Sequence, residues 1–293
     1  MTLRAPTHTR ISLNLSFHKL APGYSHLACD GVGLMRAEFL ALSLGIHPRR
    51  LLADGGEEKF LDLFSQKIVG VARDFAPRPV VYRTLDLKPE EYAGLKGGAD
   101  WGADSLPGLR GCSRYLADEP SFRLELRAVK RARDMGCVNL DVILPFVQSP
   151  EELARCREIV IDEGLFASAE FELWMMAALP SNALRIEEFL PCVSGVSIDP
   201  QELARAVSGK DGESRDPAAL AALTRIARAC RERGLACSIC GDAPARDPEM
   251  IRALIGAGLT GVIIAPESRE ETIACVGAAE AAHGISPERE PAI

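Results

Sequence analysis

Apolar residues along this chain fall into short continuous or alternating runs, separated by longer stretches where they recur with helical spacing. Runs at 11–15, 31–36, 80–83, 140–146, 171–176, 195–198, 236–241 and 261–266 have the length and β-branched content of buried strands. Between them, residues 57–75 carry Phe60, Leu61, Phe64, Ile68 and Val71 on one helical stripe. Further helices are predicted at about 122–134, from Ser149, from Ser181, at 217–233, at about 248–255 and near Glu270. Ser149 followed by Glu151 and Glu152 is an N-cap with an acidic first turn. Eight strands, most of them followed by a helix, predict an α/β protein: a single-domain (β/α)8 TIM barrel over residues 1–293, with its core at about 11–283. A doubly wound open sheet would carry a Gly-rich phosphate loop after an early strand, and Gly31-Val32-Gly33 lacks the third glycine.

Polar residues interrupt this pattern where strands end. Arg83 closes the run Val80-Val81-Tyr82, and Arg110 sits between Leu109 and Gly111. With Arg36 at the end of the second strand, three arginines stand in settings that are costly to bury without an anion. Each could pair with an internal carboxylate such as Asp86. Together they point to a small anionic ligand, because a guanidinium grips a planar carboxylate or phosphate through two parallel hydrogen bonds. Barrel enzymes place their chemistry at the C-terminal ends of strands, where Arg36, Arg83, Arg110, Ala178, Glu202 and Cys240 should converge.

Composition narrows the class further. Of the 293 residues, 47% are hydrophobic and 26% charged, and the net charge of −7 with no basic tract argues against nucleic-acid binding. No apolar run approaches the ~20 residues that span a bilayer, so no membrane role is expected. The first residues lack the apolar core of a signal peptide, and a cytoplasmic protein is expected. Nine cysteines then read as buried thiols. Cys237 and Cys240 have metal or redox spacing, but on a strand residues three apart face opposite ways, and no second Cys pair or nearby His completes a zinc site.

Several of these segments follow one another in the order of a known family. Gly31 to Phe39, Arg83 with Glu91-Tyr92 and Gly97-Gly98, Arg110-Gly111-Cys112-Ser113-Arg114-Tyr115, Ile143 to Val147, Met175-Met176 with Pro180 to Leu184, and Ile239-Cys240-Gly241 resemble the PEP-utilising enzymes. The likeness spans residues 12–280 and is to the C-terminal PEP/pyruvate-binding barrel of the phosphoenolpyruvate synthase type. It implies Mg2+-assisted phosphoryl exchange between pyruvate and a phosphohistidine on a separate domain. It further implies that Arg36, Arg83, Arg110 and Gln201 bind substrate, that Cys240 handles the proton at the enol carbon, and that the barrel forms a homodimer. The apolar Trp101 and Leu106 in a loop lend the dimer some support.

The departures from the family pattern fall on the metal. Ala178 stands where the resemblance implies a metal-binding Glu, and Asp199-Pro200-Gln201-Glu202 stands where it implies Gly-Ser-Asn-Asp. Glu202 is thus the remaining metal carboxylate, lengthened by a methylene, and Mg2+ affinity should be weakened. Arg205 either turns into the site as a partial counter-charge or faces solvent on the helix after Glu202. The chain also lacks ATP-binding and phosphohistidine domains. The expected function is a phosphotransferase half-enzyme that binds PEP or pyruvate, with impaired metal-dependent transfer. The alternatives are a non-catalytic regulatory module binding PEP or an oxo acid, and a lyase or aldolase acting on a 2-oxo acid, the last by fold analogy alone.

Overall fold

The computed structural model describes residues 5–16, 23–88, 91, 93–98, 109–209, 216–241 and 247–286. Eight strands form a closed barrel in sequence order: β1 (Arg10–Ser16), β2 (Val32–Arg36), β3 (Val80–Arg83), β4 (Leu140–Leu144), β5 (Leu173–Ala177), β6 (Gly195–Ile198), β7 (Ala236–Cys240) and β8 (Gly261–Ile264). All eight contacts between neighbours are parallel, and β8 returns to β1. The predicted (β/α)8 barrel is therefore present.

The helices are α1 (Glu38–Ser43), α2 (Pro48–Ala53), α3 (Glu57–Phe75), α4 (Cys112–Ala117), α5 (Glu119–Asp134), α6 (Pro150–Asp162), α7 (Pro180–Leu184), α8 (Ile186–Phe189), α9 (Pro200–Ser208), α10 (Pro217–Glu232), α11 (Pro248–Ala257) and α12 (Arg269–Ala282). Four of them start in the same way. Ser149, Asp199, Asp216 and Asp247 each accept a backbone N–H of the first turn, and a proline follows the cap in every case. Such a cap contributes about 1 kcal/mol, and proline at that position forfeits no hydrogen bond. The stripe predicted for α3 is buried in full, and it packs chiefly on α5.

Strands β4 and β5 depart from the bounds of their apolar runs. β4 stops at Leu144 because Pro145 has no N–H to donate and Phe146 takes the left-handed region at φ 52°. The run at 171–176 becomes strand only from Leu173.

Side chains sort by strand parity. One apolar cluster fills the shell between the barrel and its helices, and a smaller one lies inside the barrel: Leu34, Val81, Ile143, Met176, Cys240 and Ile263. Cys237 belongs to the shell and Cys240 to the interior, so the two thiols do face opposite ways. No described helix is long and apolar enough to cross a membrane. Trp101 and Leu106, the residues read as dimer contacts, lie outside the described residues.

Candidate functional site

The register of the barrel brings the charged strand ends together. Arg36 pairs with Arg83 across β2 and β3, and Arg83 with Ile143 on β4. Cys240 is the last residue of β7, level with Ile263 of β8. Arg36, Arg83 and Cys240 thus share the C-terminal mouth, as the sequence predicts.

Each arginine there is oriented by a carboxylate. Glu38, at the start of α1, is only 6% exposed and accepts Nε of Arg83 at 3.1 Å; Nη2 of Arg83 donates to the same oxygen. Arg36 Nε lies 3.7 Å from the other oxygen of Glu38. Arg110 donates from Nε and Nη2 to the two oxygens of Asp86 at 2.9 and 2.8 Å, a bidentate fork. Its guanidinium rests over the Phe146 ring at 4.4 Å, and its Nη1 is 3.6 Å from Glu202. Glu202 in turn meets Arg205 at 3.4 Å. Four arginines and three carboxylates therefore alternate around the mouth. The carboxylates occupy the Nε/Nη2 edge of Arg83 and of Arg110, which fixes each guanidinium plane.

The segment after β3 is held equally firmly. Tyr115 donates its hydroxyl to Leu85 O at 3.0 Å and shares a hydrogen bond with Thr84 Oγ1 at 2.8 Å. Glu125 accepts the Tyr82 hydroxyl and the Leu85 N–H, both at 2.8 Å. Burial raises the Glu125 carboxyl to about 8, against the lowering effect of those two hydrogen bonds. Gly111 at φ 55° lets the chain touch the end of β4: a Cβ there would lie 2.3 Å from Pro145 O.

Electrostatics at the mouth favour a charged arginine and a protonated thiol. Burial works against the charge on Arg83, but Glu38 and Asp86 outweigh it and hold the guanidinium protonated. For Asp86 burial outweighs Arg110 and Arg83, and the carboxyl is raised. Burial and then the Asp199 carboxyl push the Cys240 thiol well up, and Arg83 and Arg36 offset only part of this. Cys240 is therefore an S–H group at neutral pH.

The remaining predicted residues lie on the β5 and β6 side. Gln201 is exposed on the first turn of α9, where its backbone N–H is bonded to Asp199 at 3.2 Å. Ala178 is buried, and its N–H is taken by Asn182 Oδ1 at 3.0 Å. Arg205 takes the solvent-facing arrangement: its side chain is 55% exposed, and Arg110 reaches Glu202 as well. Among the described residues no group of three or more His, Cys, Asp or Glu side chains could hold a metal ion. The donor set explains why. Ala178 contributes a methyl group, and Glu202 is engaged by Arg110 and Arg205. The residues present do not fit Mg2+.

Sequence reasoning missed Glu38 as the partner of Arg83: only its position two residues past Arg36 hints that it faces the mouth. Asp199, which the sequence places in the altered metal segment, caps α9.

Known proteins carry the same arrangement of sequence. The sequence profile described as PEP-utilising enzyme, PEP-binding domain, matches residues 2–274. The probable phosphoenolpyruvate synthase of Staphylothermus marinus is 38% identical over 280 residues, covering 89% of this chain and 34% of that protein. The phosphoenolpyruvate synthase of Aeropyrum pernix is 36% identical over 281 residues, again 89% of this chain and 34% of that one. The chain thus spans about a third of the length of the curated relatives it matches. Among solved structures, RipC from Yersinia pestis aligns over 94% of this chain and 96% of its own at 12% identity, with a TM-score of 0.47, a likeness too distant to bear on function. A profile match over nearly the whole chain, on a barrel whose C-terminal mouth carries the motif arginines and cysteine, places this chain in the family of PEP-utilising enzymes, as their PEP-binding domain.

Proposed function

We propose that the C-terminal mouth binds PEP or pyruvate, and that the chain acts as the substrate-binding half of a phosphoenolpyruvate synthase-like phosphotransferase whose phosphohistidine donor is a separate domain. The observation that carries this reading is the convergence of Arg36, Arg83 and Arg110 with a buried thiol on one rim. The arginines supply cationic donors for a carboxylate and a phosphoryl group, the planes of Arg83 and Arg110 being already set by Glu38 and Asp86. Preorganised positive charge is what phosphoryl transfer to or from an enolate requires.

Cys240 supplies the proton. Held as S–H, it can protonate the enol carbon once the phosphoryl group has left: the S–H bond breaks, a C–H bond forms, and the resulting thiolate faces Arg36 and Arg83. Phosphoryl transfer itself is impaired relative to the family, because Ala178 removes one carboxylate and arginines occupy Glu202. That feature also favours a second reading, in which the barrel binds PEP or an oxo acid for regulation and does not turn it over.

Isothermal titration with PEP, pyruvate and oxalate tests the binding. Saturable heats are expected, and Arg110→Lys should weaken them about tenfold, since a lysine cannot form the fork on Asp86 or present a planar edge. Absence of both heat and thermal shift at millimolar PEP and oxalate would overturn the assignment. Phosphoryl transfer from PEP to the phosphohistidine domain of a relative separates the two readings.

A further inference from the structure

The opposite, N-terminal mouth of the barrel holds a cavity of about 730 Å³, lined by seven of the eight strands and by Ser194 just before β6. A volume of this size suits a small molecule, since ligand pockets run to several hundred Å³. Its walls carry Asp30, Asp141, Glu170 and Glu172, the indole of Trp174 and the hydroxyl of Ser238. Two cations, Arg10 and Arg231, also reach it, and Arg231 is turned to Gly256 O at 3.0 Å. Carboxylates therefore outnumber cations.

Three details indicate a built site. Ser238 is only 6% exposed, and among the described residues its Oγ has no hydrogen-bond partner. A buried hydroxyl without a partner is costly, and a ligand donor or acceptor would relieve it. Trp174 depends on a glycine: a Cβ on Gly195 would sit 2.5–2.7 Å from its ring atoms. Its Nε1 donates to Glu172 Oε2 at 2.8 Å, which sets the carboxylate beside the indole. Asp141, 7% exposed, accepts the Glu172 N–H on one oxygen at 2.9 Å; among the described residues no arginine or lysine is hydrogen-bonded to it, and Arg133 acts on it through its charge. Burial raises this carboxyl to about 7.

We propose that this mouth binds a small organic cation with N–H donors, a primary amine or diamine, seated between the Asp141 and Glu172 carboxylates and the face of Trp174. An ammonium fits each element: it pairs with the buried Asp141 and the exposed Glu172 carboxylates, it is attracted to an indole face, and it can donate to Ser238. A compact metal ion does not fit, because the described carboxylates do not cluster closely enough to ligate one. Trp174 packs against the interior cluster that contains Cys240, so the amine would lie beneath the substrate mouth and not in it.

The chain has two tryptophans, Trp101 and Trp174, so Trp101→Phe leaves Trp174 as the only indole reporter. In that background, Trp174 emission is followed while putrescine is added at fixed ionic strength, with sodium chloride, myo-inositol and PEP titrated in parallel. A saturable change with putrescine is expected, weakened about tenfold by Asp141→Asn and unaffected by Arg110→Lys or by bound PEP. Glu172→Gln carries the same expectation should Asp141→Asn fail to fold by circular dichroism. A response no larger than that of sodium chloride would overturn the proposal. So would saturation by myo-inositol in place of putrescine, competition by PEP, or an affinity unchanged in the folded variant.

Discussion

The two mouths of this barrel treat charge in opposite ways. At the C-terminal mouth Arg83 is held by Glu38 and Arg110 by a fork on Asp86, and the group that could react, Cys240, is kept protonated. At the N-terminal mouth carboxylates outnumber arginines, and burial brings Asp141 to about 7. The first mouth is built around cations, the second around carboxylates. The contrast teaches that a single barrel interior, floored midway by Trp174 and the cluster above it, can hold two distinct electrostatic environments.

Breaking the upper pairing should have the largest effect. Arg83→Met strands Glu38 in a buried position and should cost about 3–5 kcal/mol in urea unfolding, whereas adding Glu38→Leu should recover much of that loss without restoring PEP binding. Ser238→Ala at the lower mouth removes a hydroxyl with no partner among the described residues and should change stability by less than about 1 kcal/mol. Equal costs for the two single changes would erase the contrast.

Next in size is the dependence on pH. Glu125 and Asp141 have folded values of about 8 and about 7, above the ordinary carboxylate range, so the folded chain holds protons that the unfolded chain releases. Their contribution is complete at pH values below the ordinary carboxylate range and is lost as pH climbs through about 7 and about 8. The slope should be on the order of 1 kcal/mol per pH unit for each group. Unfolding measured from pH 5 to 9 should show stability falling, with Asp141→Asn and Glu125→Gln each flattening the curve. A stability that rises over that range would contradict the assignment.

The smallest effect should come from restoring a carboxylate. Ala178→Glu should make PEP binding depend on Mg2+, changing affinity by about tenfold between magnesium and EDTA, while the parent chain responds little. A strong magnesium requirement in the parent would show that Glu202 escapes its arginines and suffices alone.

How much of this was legible depends on which physical cue the residues leave in the sequence. The barrel was readable because strand runs and helical stripes differ in period, and the Phe60–Val71 stripe of α3 is buried as its spacing predicts. Arg36 and Arg83 stood out because a charge ends an apolar run. Glu38 did not, since a helix start explains an acidic residue equally well. The lower cavity was less visible still. Ser12, Asp141, Trp174 and Ser238 occupy interior positions on different strands, and each alone reads as an imperfect strand residue. What unites them is the register of the closed barrel, which local periodicity does not encode.

The tight contact at Gly111 has a consequence for redesign. Gly111 lies against Pro145, and Phe146 closes over the Arg110 guanidinium. A single methyl group added at Gly111 would push this turn off the end of β4 and carry Arg110 away from its fork on Asp86.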